Sequence, residues 1–115
     1  MKIIEILDFC NAVRQFVKHT QREAVSDYEV EALADSKGKR KPIILGITGD
    51  KPYSVKGTIH EGFDTHIHTH TCSSIPSPDD RKWIKRTHYR VGLIINVSNG
   101  DVILYYYKPL STETN

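Results

Sequence analysis

The chain divides by the spacing of its apolar residues. From Lys2 to His19, Ile3, Ile6, Leu7, Cys10, Val13, Phe16 and Val17 recur at intervals of three and four. That spacing lines one side of a helix. Glu5, Asn11, Arg14, Gln15 and Lys18 take the polar side, and His19 sits at the basic end, where a cation suits the helix dipole. Residues 22–34 support two readings, a strand through Val25, Tyr28 and Val30 or a helix from Glu29 to Ala34. The strand is the reading adopted. Ser36-Lys37-Gly38-Lys39 predicts a turn. Pro42 to Ile47 is an apolar run of strand length, closed by Thr48 to Pro52, and Tyr53 to Ile59 reads as a further strand.

Phe63 to Thr71 then alternates. Phe63, Thr65, Ile67 and Thr69 point one way, while Asp64, His66, His68 and His70 point the other. With Phe63 and Ile67 toward the core, the histidines are expected on the opposite face or at an open end of the sheet. Ser77-Pro78-Asp79-Asp80 is a helix start: Ser77 as N-cap, Pro78 as first helical residue, and two acids in the first turn. The helix is expected to run through Trp83 and Ile84 to about His88. Val91–Val97 and Val102–Tyr107 are strands joined at Asn99-Gly100, a strong hairpin signal. Lys108 to Asn115 reads as a frayed tail. The order is helix, strands, histidine strand, helix, hairpin. It predicts an α+β fold, a mixed β-sheet flanked by helices, in one domain over residues 1–115.

Composition narrows the class. An apolar share of 38% with 26% charged residues permits a packed core and argues against wholesale disorder. Sixteen basic against fourteen acidic residues leave a formal charge of +2, too balanced to indicate nucleic acid. The run Lys37-Gly38-Lys39-Arg40-Lys41 is local and reads as a solvated turn. Trp83 with Lys82, Lys85 and Arg86 on one helix is the weaker nucleic-acid signal, since Trp83 suits the core. Cys10 reads as a core residue, Cys72 lies in the loop after the histidines, and two cysteines make no disulfide framework. The first residues carry acids within their apolar stretch, unlike a secretory signal, and no apolar run approaches a membrane span. The expectation is a soluble, cytoplasmic protein without a membrane or nucleic-acid partner.

The histidine strand carries the chemistry. Residues two apart on a strand share a face, with Cα atoms about 6.5–7 Å apart, so two imidazoles can converge on one ion at about 2.0–2.1 Å. A loop returning to a helix start can bring a carboxylate to the same ion, and Asp80 is the candidate. Two histidines, one carboxylate and an open position form the catalytic arrangement for zinc, whose bound water has a pKa lowered toward about 7. A nearby carboxylate would then serve as general base and acid. Taken one at a time, the alternating His and Thr also suit an exposed strand, and Ser-Pro-Asp-Asp an ordinary helix cap.

Ile67-His68-Thr69-His70 followed by Pro76-Ser77-Pro78-Asp79-Asp80 resembles the signature of the JAMM (MPN-domain) metallopeptidases: His-x-His, a short loop, then Ser-x-x-Asp. The element order resembles the family across most of the chain, and residues 67–80 carry the specific match. The resemblance implies a cytidine-deaminase-like architecture with a sheet between helices. It also implies one Zn2+ and hydrolysis of peptide or isopeptide bonds at the C-terminus of ubiquitin-like proteins; prokaryotic relatives act on ubiquitin-like sulfur carriers. Carried over by position, His68, His70 and Asp80 would be the metal ligands and Ser77 would help hold the oxyanion. The loop Thr71–Pro76 is one residue shorter than the family's, and Thr71 stands where the family usually has Pro. The pair His66 and His68 would give a loop one residue too long. Ile67 and Thr69 match the apolar and small polar places around the later pair, which is preferred; His66 is then a same-face neighbour, a group that supports the ligands from behind, or merely polar surface.

The family places its general base, a Glu, on the first strand after the opening helix. Glu23 is the first acid after that helix and the best-placed candidate, with Glu29 and Glu31 as rivals. Two alternative readings stand beside this one. The chain could be a non-catalytic MPN-type scaffold. Asp64-Thr65-His66-Ile67-His68 also resembles the opening of PHP-type phosphoesterases, though that motif begins a longer domain richer in ligands. A chain this short leaves little surface for a protein substrate, which makes room for a partner or a homodimer.

Overall fold

The computed structural model describes residues 3–23, 30–47, 59–71 and 73–109. Helix α1 spans Ile3–Glu23, four residues beyond the expected end at His19. Gln21, Arg22 and Glu23 are good helix formers, and no Gly or Pro intervenes. Cys10, Val13 and Val17 are its fully buried face, with Ile6 and Phe9 packed beside them. Leu7 and Phe16, expected on that face, are 49% and 39% exposed. The apolar stripe is wider than the strip the sheet covers, so its edges stay in solvent.

Strands β1 (Val30–Ala34), β2 (Ile43–Ile47), β3 (Thr65–His70), β4 (Val91–Asn96) and β5 (Val102–Tyr107) form one mixed sheet in the order β2-β1-β3-β4-β5. Only the central β3–β4 pairing is parallel. A parallel pair needs a crossover, and helix α2 (Pro78–Lys85) provides it. β1 thus takes the strand alternative read for residues 22–34, while 24–29 lie outside the described residues. So do 48–58, with most of the strand expected from Tyr53, together with Cys72 and residues 110–115. The β4–β5 hairpin forms as expected, with Gly100 at φ +83° in its turn.

The sheet is covered on both sides. Strand alternation sends Ala32, Ile67, Leu93 and Ile95 into the cluster under α1. Leu33, Ile84 of α2 and Tyr89 form a second cluster on the other face. Phe63 differs from its expected place: β3 begins only at Thr65, and Phe63 packs in this second cluster, away from Ile67. The histidine face is therefore interior. His66 and His68 are 2% and 4% exposed.

Helix α2 ends three residues earlier than expected. Its C-cap is Arg86, whose N–H donates to the Trp83 carbonyl at 3.0 Å. The Ile84 carbonyl accepts both the Thr87 N–H at 3.2 Å and Thr87 Oγ1 at 2.8 Å, which closes the helix end. The helix approaches the sheet at Gly92, where an added Cβ would lie 2.8 Å from both Ile84 Cδ1 and the Tyr105 ring. Among the described residues no helix is long and apolar enough to cross a membrane.

Gly92→Val should overfill this contact and destabilise the protein by about 1–3 kcal/mol, read as a lower urea midpoint. An unchanged midpoint would show that α2 does not pack on β4 as described.

Candidate metal centre

Three local devices bring one group of ligands together. Alternation along β3 places His68 and His70 on the α2 face. Hydrogen bonds past the end of β3 hold its exit: Val97 N–H donates to the His70 carbonyl at 2.9 Å and Ser98 N–H to the Thr71 carbonyl at 3.1 Å. Asn96 Nδ2 donates to Ser74 Oγ at 3.0 Å and pins the following loop. The third device is the capping box of α2. Asp80 N–H donates to Ser77 Oγ at 3.0 Å, and Ser77 N–H donates back to Asp80 Oδ2 at 2.9 Å. The cap fixes the carboxylate as firmly as it fixes the helix.

The outcome is a compact triangle. His68 Nε2 and His70 Nε2 are 3.1 Å apart, and Asp80 Oδ2 lies 3.4 Å from the first and 3.5 Å from the second. A tetrahedral ion bound at about 2.0–2.1 Å requires ligand atoms roughly 3.3–3.4 Å from one another. The three edges match that spacing, and the two-nitrogen, one-carboxylate donor set suits a divalent cation. His68, His70 and Asp80 could hold a metal ion.

The electrostatics agree. Burial holds the His68 imidazole below its ordinary pKa; the Asp80 carboxylate opposes this, and the His66 and His70 charges add to it. Burial alone would raise Asp80, but hydrogen bonds from His68 and His70, the His68 charge and the Ser77 N–H hold it far below the usual carboxylate range. A neutral imidazole beside an ionised carboxylate is the ligand form a metal needs. His68 Nδ1 is buried and makes no hydrogen bond to the described residues.

The neighbouring His66 is neither surface nor part of the triangle. Its Nε2 lies 2.6 Å from Glu31 Oε2, with both side chains buried. Trp83 stacks edge-on to it at 4.7 Å and Tyr89 lies at 5.3 Å. Glu31 is opposite His68 in the β1–β3 register. Of the three acids considered for a base, Glu31 is the one whose side chain is described, and it is set beside the histidines. Glu23 is the last residue of α1 rather than a strand residue, because the helix outruns its expected end; its side chain and all of Glu29 lie outside the described residues. Ser77 stands at the start of α2 with its hydroxyl accepting the Asp80 amide. Sequence reasoning missed the Glu31–His66 bond and the burial of His66. Both depend on strand register, and the sole local hint was that His66 shares a face with His68.

A cavity of about 280 Å³ opens beside the triangle, lined by His66, His68, Asp79, Asp80, Trp83, Arg86 and Tyr105. No family model, no curated protein and no solved structure matches the chain.

His68 and Asp80 make stability depend on pH with the same sign. As pH falls through about 6.5, the unfolded chain takes up a proton at His68 that the folded protein refuses. Near about 4 the same holds for Asp80. Stability of the metal-free protein should therefore be full near neutrality and decline in two stages on acidification. Urea midpoints measured from pH 8 down to pH 2 check this, and a midpoint that rises below pH 6.5 contradicts the buried neutral His68.

Proposed function

We propose that the chain is a JAMM-type zinc metallopeptidase that hydrolyses an amide bond, at the C-terminus of a ubiquitin-like protein. The match between the His68–His70–Asp80 triangle and the edges of a tetrahedral zinc site carries this reading. The triangle is built from the same residues as the His-x-His and Ser-x-x-Asp signature. The α+β architecture, with the histidine strand beside a crossover helix capped by Ser77, supports it.

Zinc held there would supply Lewis acidity and a water acidic enough to be deprotonated near neutral pH. The chain's own residues do the rest. Asp80 and the two imidazoles would hold the ion, and the capping box keeps Asp80 from turning away. Glu31 is the proposed general base, taking the proton of the attacking water and passing it to the leaving nitrogen. It stands on β1, the first strand after α1 among the described residues, and the family keeps its glutamate on the strand after the opening helix. Ser77 is the proposed donor to the developing oxyanion. The substrate occupies the cavity between α2 and Tyr105.

A second reading is a non-catalytic MPN-type scaffold. It is favoured by one observation: the Glu31 carboxylate is fully buried against His66 and is not among the groups lining the cavity.

Two measurements decide. Protein purified without chelator should carry about one zinc per chain, and zinc at one hundred times its Kd should add about 2.7 kcal/mol of stability. His70→Ala, which leaves the helix cap intact, should abolish that gain; a gain that survives it overturns the metal site. Zinc-loaded protein should cleave a linear extension from the C-terminus of a ubiquitin-like fusion. Glu31→Gln should keep its zinc and lose roughly 10²–10⁴ in kcat. A zinc-loaded wild type that cleaves nothing supports the scaffold.

A further inference from the structure

The wall of the cavity away from the histidines is one face of α2. Asp79, Trp83 and Arg86 are spaced i, i+4 and i+7, so their side chains lie on one side of the helix, and all three line the cavity. The ends of this wall differ in charge. Asp79 and Asp80 stand at the metal end and Arg86 at the other. Arg86 is exposed, and among the described residues it has no ion-pair partner. Trp83 and the half-buried Tyr105, whose hydroxyl is buried without a hydrogen bond to the described residues, give the space between an aromatic character.

We propose that Arg86 is a specificity residue that binds the α-carboxylate of a substrate's C-terminal residue, one or two residues beyond the cleaved amide. This rests on the cavity being the substrate site of the proposed hydrolase. Asp80 and Arg86 are six residues apart, about 9 Å along the helix at about 1.5 Å per residue. Extended peptide advances about 3.3–3.6 Å per residue. Helical side chains lean back toward the N-terminus, which brings the guanidinium nearer the metal end. One or two residues therefore bridge from the ligand triangle to Arg86. At about 280 Å³ the cavity falls just below the range of ligand pockets, which run from about 300 Å³. It suits the last residues of a chain better than a polypeptide running through. The guanidinium fork pairs with a carboxylate in a bidentate geometry that lysine cannot reproduce, and Asp79 repels the same carboxylate from the metal end.

Trp83 is the chain's single tryptophan, so its fluorescence reports occupancy of this cavity without any reaction. Metal-free protein is titrated with acetyl-glycyl-glycine and with its C-terminal amide; leaving the metal out removes direct carboxylate ligation from the comparison. The free acid should bind roughly tenfold or more tighter than the amide. That preference should vanish in Arg86→Gln and survive only in part in Arg86→Lys. Equal binding of acid and amide, an unchanged preference in Arg86→Gln, or no saturable response to either peptide overturns the assignment. A preserved acid preference in a protein that hydrolyses nothing when loaded with zinc would sink the peptidase reading and leave the carboxylate site standing.

Discussion

The two-residue alternation of β3 between two covering layers is the constraint on which the rest depends. Because α1 covers one face of the sheet and α2 the other, each residue of the strand is committed to one interior or the other. Thr65, Ile67 and Thr69 serve the α1 layer, where Thr69 Oγ1 also accepts the Val30 N–H at 2.9 Å. His66, His68 and His70 serve the α2 layer. A slip of one residue would bury the histidines among valines and cysteine and leave Asp80 facing threonines. The pairing register is thus also the register of the metal ligands.

Burying so many polar groups has to be justified by partners, since an uncompensated buried charge or hydrogen-bonding group is costly. The α2 layer provides them. Glu31 meets His66, Asp80 meets His68 and His70, and Asn96 holds Ser74. Apolar side chains of similar size would pack this layer at least as well, which makes the polar set an indicator of chemistry rather than of stability. At the opposite end of β3, Asp64 ties elements together. It accepts from Ser36, Thr65 and Arg90, which holds its carboxyl below the usual range despite burial and ties the start of β3 to the turn after β1.

The features legible in the sequence were the local ones. The Ser77 N-cap, the Asn99-Gly100 hairpin and the shared face of His68 and His70 each follow from residues a few positions apart, and each formed as read; the return bond from the Ser77 N–H to Asp80 that completes the capping box was seen only in the structure. The architecture of helices around a mixed sheet followed from their order. What could not be read was set by distant partners. The end of α1 carries no stop signal, so Glu23 fell on the helix. The exposure of Leu7 and Phe16 depends on how much of α1 the sheet covers. Phe63 went to the other layer because β3 starts two residues later than its alternation suggests. The pairing of Glu31 with His66 needed the β1–β3 register, which nothing in either strand's own sequence specifies.

The ligand triangle is contained between His68 and Asp80, while the acid beside it comes from thirty-five residues upstream of His66. The two therefore stand differently toward partial opening of the molecule. Closing a short loop costs little entropy, so the segment from β3 through α2 can keep its three donors together if β1 detaches from β3. Glu31 leaves with β1. Holding an ion and having an acid at hand to use it belong to different folding units, and a loosened molecule would keep the first while losing the second.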